Sequence, residues 1–406
     1  MANSQNWTNL ARKIWQALLW AMLGFFWLIW FEVFCSKMLP RLAYFSGRPI
    51  SVDSPCSTPE CDFSAFWPAG LLARTGDFWT IYTPHRFLAY QKQVLLHGLD
   101  VIANFFYPPF MLLPSSAISF LPFELAFLIW SILLTGLSVI LLRFGGLRWR
   151  VVGIGLLCPA ALWNFELGQL GLITSGLLIA GLMRQAQKPV IAGSLLGLLS
   201  FKPQAAILAP FALLGARNVN AVVGFIAAVG GLALLTLIFF GPDSWLAYCR
   251  IGGKEGFKIL QAPFNSQLSS GEGVSVFVML RSFGASVAFA YPVQIFCSLV
   301  VAAVSIWVWS RPGVPAMAGV SLTVLLTLLA TPYGYVDDMT AGSIMLAAMA
   351  EQRGWKLHLT DVMFWLWPAF CQIVSERTGM LFTPFIVMAS AWRVACGAGL
   401  LSGLAR

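Results

Sequence analysis

Residues 190–216 read VIAGSLLGLLS, FKPQ, AAILAPFALLGA: two apolar runs, over 190–200 and 204–216, that meet at Phe201, Lys202, Pro203 and Gln204. Each run is little more than half of the roughly 20 residues that a helix needs to cross a bilayer. Basic residues flank the pair, Arg184 and Lys188 before it and Arg217 after it. The stretch therefore reads as two half-length helices whose outer ends lie on one side of a membrane and which meet within it. Irregular backbone at that depth is tolerated only where it lines a cavity in the protein. Lys202 at the break is a charge that costs at least about 2.5–3.5 kcal/mol in the membrane zone. It either snorkels to an interface or holds an anionic group, such as a lipid phosphate, at the end of a cavity.

The rest of the 406 residues supports a membrane setting: 59% are hydrophobic and 10% are charged. A soluble domain of this length, with about 25% charged residues, is excluded. Ile14–Phe34 is too long and too aromatic for a cleaved signal peptide and reads as an uncleaved first helix. Further apolar runs lie near 124–142, 151–165, 170–183, 219–240, 286–309, 313–330, 339–350, 358–374 and 380–401. The fold class is an all-α polytopic membrane protein, a bundle of about 12 membrane helices, some of them half-length. The chain is a single integral-membrane domain over 1–406, with long extracytoplasmic loops over 36–122 and 242–283. In the first loop, Phe63–Leu72 and Phe87–Leu96 suggest amphipathic helices on the membrane surface, and Tyr107–Leu121, with three prolines, a half-inserted helix.

Charge sets the orientation. With Arg12 and Lys13 in the cytoplasm and 107–121 only half inserted, Arg143, Arg148, Arg150, Arg184, Lys188, Arg217, Arg311, Arg353, Lys356 and Arg406 all fall inside. Both termini are then cytoplasmic. Of the 16 Asp and Glu residues, all but Glu351 and Asp361 fall outside. The net charge of +9 is thus mostly an orientation signal and does not call for a nucleic acid partner. Cys56 and Cys61 lie in the outer loop and either close a small disulfide loop or stay free.

Few polar residues are placed to do chemistry. Asp62 precedes an apolar helix and reads as its N-cap, as a general base open to a hydroxyl substrate, or as both, since the two roles are compatible. Glu166 and Gln169 end an outward-going span and present a carboxylate and an amide to the cavity. Asp337 and Asp338 follow Thr331–Tyr335 at an outer end, as a sugar-binding rim or a solvated loop. Arg393 lies within the last span, as an ion pair or an anchor. His85, His97 and His358 are isolated, so no metal site is expected, and no glycine-rich nucleotide loop is present. A donor already in the membrane is the alternative source of an activated group.

Five stretches carry a family resemblance. They are Asp62–Trp67 with Ala69, Gly76, Asp77 and Tyr82; Tyr107–Phe110 with Leu121, Pro122 and Trp130; Gly168 and Gln169, then Ala192 and Gly193 through Phe201–Gln204; Ser275–Phe277 with Arg281 and Gly284; and Ala330–Tyr333 with Asp338. In this order they resemble glycosyltransferase family 87, of the GT-C superfamily. Leu170 stands where Asn commonly follows Gly-Gln, and Val336-Asp337-Asp338 replaces a more usual Asp-Tyr-Asp, so that only Asp338 carries over.

The resemblance implies an inverting transfer of a sugar, most simply a mannose-like hexose, from a polyprenyl-phosphate donor to a lipid or glycan hydroxyl. The reaction would take place on the extracytoplasmic face of a bacterial plasma membrane, without a cofactor or a strict metal requirement. It implies Asp62 as the catalytic base and Lys202, Arg281 and Tyr107 at the donor phosphate. Gln169, Glu166, Tyr333, Asp338 and Asp77 would contact sugar or acceptor. Two other classes compete: a secondary transporter or flippase of a lipid-linked or anionic substrate, since transporters also use broken helices, and a non-catalytic scaffold, which would keep Asp62 and Lys202 apart.

Overall fold

A computed structural model describes residues 2–44, 62–95, 103–266 and 269–401. Cys56 and Cys61 lie outside the described residues. The described chain is helical, with no strand and one isolated bridge between Gly273 and Tyr335. The helices run α1 (Ala2–Tyr44), α2 (Phe63–Thr75), α3 (Phe78–Tyr82), α4 (Pro84–Val94), α5 (Leu112–Ile118), α6 (Phe123–Phe144), α7 (Trp149–Leu156), α8 (Pro159–Leu167), α9 (Gly171–Arg184) and α10 (Pro189–Leu198). They continue as α11 (Pro203–Ala206), α12 (Ala209–Ala216), α13 (Val219–Ala247), α14 (Gly253–Gln261), α15 (Val276–Ser282), α16 (Val287–Ser310), α17 (Ala316–Ala330), α18 (Thr340–Gln352), α19 (Leu359–Thr378) and α20 (Thr383–Gly397).

Among the described residues, four helical segments are long and apolar enough to cross a membrane: Trp7–Ser36, Phe123–Phe144, Val219–Gln261 and Val287–Ser310. Their outward faces are apolar, as at Ile132 and Ile140 on α6 and Phe296 and Leu299 on α16. Such surfaces suit lipid rather than water. The run near 151–165 is not one helix. It is α7 and α8, bent by 59°, because Pro159 supplies no backbone N–H and holds Cys158 extended ahead of it.

Shorter apolar helices fill the interior. α9 and α17 are buried along nearly their whole length and α18 along most of its length. Several of their hydroxyls return to backbone carbonyls one turn earlier, as from Ser321 to Met317 and from Thr327 to Thr323. α10 lies close against α13, because a Cβ at Gly193 would stand 1.8 Å from the Ala221 carbonyl oxygen.

The hairpin over 190–216 forms as its sequence predicts. α10 runs into a short 3-10 turn, Leu199–Phe201, and α11 starts at Pro203. Lys202 between them has φ −129° and ψ 78°, out of the helical region that a following proline disfavours. Tyr107–Leu121 likewise contains only a short helix, Pro109–Ile118.

α2 departs from expectation. It is not an amphipathic surface helix: Phe63, Ser64, Ala65 and Phe66 are buried in succession, which leaves no exposed face over its first turn. Phe63 and Phe66 are wrapped by Phe127, Trp130, Phe105 and Tyr107 at ring separations of 5.1–6.4 Å. α4 does show the amphipathic pattern, burying only Phe87 and Gln91.

Candidate active site

The Asp62–Phe63 and Gly168–Gln169 segments are built as one unit. Gly168 ends α8 with φ +71°, and a Cβ there would meet the Phe63 Cβ at 2.7 Å. Only glycine fits both the left-handed backbone and the close approach. The Gly168 carbonyl accepts a bond from Trp130 Nε1 at 3.0 Å, and the turn delivers Gln169 to Asp62. Gln169 Nε2 donates to Asp62 Oδ2 at 2.9 Å, while Gln169 Oε1 accepts from Tyr107 Oη at 3.3 Å and from the Leu170 N–H at 3.2 Å.

Asp62 sits at the N-cap position of α2, yet its side chain makes no capping bond. The capping role is therefore not taken up, and the carboxylate bonds Gln169 instead. Burial raises its carboxyl above the ordinary aspartate value, against the Gln169 hydrogen bond and the charge of Lys202.

Lys202 does not snorkel. It is 3% exposed, and Nζ lies 3.3 Å from Asp337 Oδ2 and 2.5 Å from Asp338 Oδ1. Asp337 and Asp338 are accordingly not a solvated loop but the anionic side of a buried cluster. The backbone around them is fixed on two sides. Tyr335 N–H donates to Asp338 Oδ2 at 3.3 Å, and Val274 N–H donates to the Gly334 carbonyl at 3.0 Å. From below, Asn164 Nδ2 donates to the Asp337 carbonyl and to Thr340 Oγ1, and its Oδ1 accepts from the Gly171 N–H. Burial raises the Asp337 carboxyl, Lys202 opposes this, and the charges of Asp338 and Asp62 add to it.

A cavity of about 420 Å³ joins these parts. Asp62, Tyr107, Gln169, Gln204, Tyr333 and Asp337 are among its walls. Neither Lys202 nor Asp338 is among the cavity walls; Lys202 reaches the cavity through its bond to Asp337 and is near enough to act on the charge of Asp62, whereas a scaffold with separated charges would keep the two apart. Tyr333 stands edge-on to Tyr335, with ring centroids 5.3 Å apart.

Three expected site residues fall elsewhere. Asp77 is exposed and caps α3, accepting from the Thr80 N–H at 3.1 Å. Arg281 donates to the Ala285 carbonyl at 2.7 Å and to that of Ala262 at 3.5 Å, and it does not line the cavity. Glu166 is buried on α8 and is not among the cavity walls either. The structure adds Gln204 and Asn164, and of the Asp337–Asp338 pair it sets Asp337 in the cavity wall. An amide inside an apolar run, as at Asn164, was the available signal, since a buried amide must find partners.

The fold and site together define an all-helical membrane protein with a carboxylate-lined cavity at one end of its bundle. The model of glycosyltransferase family 87 matches residues 105–332, more than half of the chain, and the chain belongs to that family. It is thus a glycosyltransferase. Tyr107, Gln169 and Lys202 lie within the matched segment, and Asp62 and Asp337 lie on either side of it. No curated protein and no solved structure matches the chain.

Proposed function

We propose that the protein moves a sugar, a mannose-like hexose, from a polyprenyl-phosphate donor to a hydroxyl of a lipid or glycan on the extracytoplasmic side of a bacterial plasma membrane. The observation that carries this reading is Asp62: a carboxylate withheld from capping its own helix, fixed by Gln169 at 2.9 Å, and facing a cavity beside a buried charge cluster. A carboxyl raised by burial is better matched to deprotonating a hydroxyl than an ordinary aspartate.

In the proposed reaction Asp62 takes the acceptor proton as the hydroxyl oxygen attacks the anomeric carbon. The bond from that carbon to the phosphate oxygen breaks, its electron pair leaves with the polyprenyl phosphate, and the configuration inverts. Charge develops on the leaving oxygen, where fixed donors in a water-poor site are most effective. Lys202 and Tyr107 are the donors nearest to that role. Lys202 also offsets one of two adjacent carboxylates, so the cavity is less repulsive to a phosphate than Asp337 and Asp338 alone would make it. Arg281, whose guanidinium is bonded to the Ala285 and Ala262 carbonyls, is given no part in this scheme. No step in this scheme calls on a metal.

The test is deletion of the gene, followed by mass spectrometry of the lipids and glycans that disappear. Wild type should restore the missing species. Asp62→Asn, which keeps the size of the side chain but removes the base, should lose transfer about 10²–10⁴-fold while still folding. Restoration by Asp62→Asn at the wild-type rate would sink the assignment.

A further inference from the structure

The end of the bundle opposite the Asp62 cavity holds two adjoining hollows. One, of about 250 Å³, lies among α1, α7, α18 and α19, and its walls include Trp20, Trp27, Leu346, Trp355 and Trp365. The other is lined by Arg12, Arg353, Lys356 and His358, with Trp15 and Gln16. Leu357 lines both. It is fixed there by a two-pronged bond, in which Gln16 Nε2 donates to its carbonyl at 2.9 Å and Gln16 Oε1 accepts from its N–H at 2.8 Å. An apolar hollow and a basic hollow thus meet at one clamped residue.

Two features indicate that this junction is more than loose packing. Trp355 has φ +62°, a left-handed conformation that is strained for a bulky residue, and it puts a fourth indole into the apolar wall. The one acidic wall residue, Asp361, is bonded to both Arg353 and Arg393. Two arginines on one carboxylate leave a positive excess, and Arg12 and Lys356 add to it. Arg148, paired with Glu351, stands at the same end.

We propose that this junction binds one anionic diacyl phospholipid from the adjacent leaflet. Its phosphate lies among Arg12, Arg353 and Lys356, and one acyl chain enters the tryptophan-walled hollow. Charge complementarity and continuity select this occupant. A zwitterionic lipid leaves the positive excess unmatched, and a small soluble anion leaves the apolar hollow unfilled. The basic residues at this end also make it the cytoplasmic side by the positive-inside rule. The binding site does not depend on the sugar-transfer reading.

The test uses the full chain, delipidated in detergent and titrated with phosphatidylglycerol or phosphatidylcholine of equal chain length, with bound lipid counted by native mass spectrometry. Wild type should retain one phosphatidylglycerol about tenfold or more tightly over phosphatidylcholine. Arg12→Glu combined with Lys356→Glu should abolish that preference. Gly24 lines the apolar hollow, and a side chain added there meets open space. Gly24→Phe should therefore plug the hollow and weaken retention by a similar factor, at an unchanged melting temperature. If Gly24→Phe does not fold, Gly24→Leu carries the same expectation. Equal retention of the two lipids by wild type would overturn the proposal, as would full retention by the charge-reversed or the plugged variant. Displacement of the lipid by glycerol 3-phosphate alone would overturn it too, by showing that only a headgroup is bound.

Discussion

The two ends of α18 carry buried charge clusters of opposite sign. Just before the helix, Lys202 faces two carboxylates, Asp337 and Asp338; beyond its other end, Asp361 faces two guanidinium groups, Arg353 and Arg393. α18 has 13 residues, so the clusters are separated by about 20 Å. With every group ionised, each leaves one charge unmatched, negative beside the cavity and positive at the opposite end, and the raised Asp337 carboxyl lessens the first. A cluster built only for stability would balance its charges, because uncompensated buried charge is costly. The cavity cluster is also drier. Lys202, Asp337 and Asp338 side chains are 4–11% exposed, whereas Arg353 is 25% and Arg393 15% exposed.

Removing the central ion of each cluster tests that difference. Lys202→Met leaves Asp337 and Asp338 facing each other without a cation, and the expected loss of stability is about 3–5 kcal/mol. Chemical denaturation in detergent would measure it, and transfer should fall with it. A fully stable Lys202→Met protein would mean that the carboxylates take up a proton or water once the cation is gone and that Lys202 is not needed for stability. Asp361→Asn should cost less, about 1–3 kcal/mol, because Arg353 can turn to solvent. Sugar transfer should persist in that variant at the temperature where it is folded. If the two substitutions were equally damaging, the distinction between a dry functional cluster and a wetter orienting one would fail.

The link between the first loop and the end of α8 offers a smaller perturbation. Gly168→Ala puts a Cβ at φ +71° and within 2.7 Å of Phe63, at an expected cost of about 1–3 kcal/mol. The same change moves Gln169, so transfer should drop more than stability alone accounts for. A rate at the wild-type level in the folded fraction would show that the Gln169 contact to Asp62 does not matter for turnover.

The sequence made the hairpin legible because its signal is local. A proline between two short apolar runs breaks a helix, and lysine within such a break calls for a partner. It did not identify that partner, since Lys202 and Asp337 are 135 positions apart. Asp62, Gln169 and Asp338 were legible as residue types at suggestive places. Asp77 and Arg281 rest on the family resemblance alone; in the fold they are a helix cap and a loop brace, because a polar residue near a helix end is satisfied locally as readily as at a distance. The burial of α2 was hidden for a different reason. Its Ser64, Ala65 and Gly70 look like a weakly apolar surface helix, and only the aromatic ring that closes over Phe63 and Phe66 makes it interior.

The subtlest expectation concerns pH. Asp62 must be ionised to accept a proton, and burial raises its carboxyl, so transfer should fall as pH falls through that raised value and level off above it. The hydrogen bond from Gln169 works in the other direction, favouring the charged form. Gln169→Leu removes that bond, so the acid limb of kcat/KM should move to higher pH, with a smaller change on the alkaline plateau. A purely structural role for Gln169 would lower the plateau and leave the limb where it is. The shift should also be absent in Asp361→Asn, whose altered charge lies the length of α18 away. A limb that moved equally in both variants would show that the two clusters are electrostatically coupled through the bundle, and that the Gln169 bond is not what sets the ionisation of Asp62.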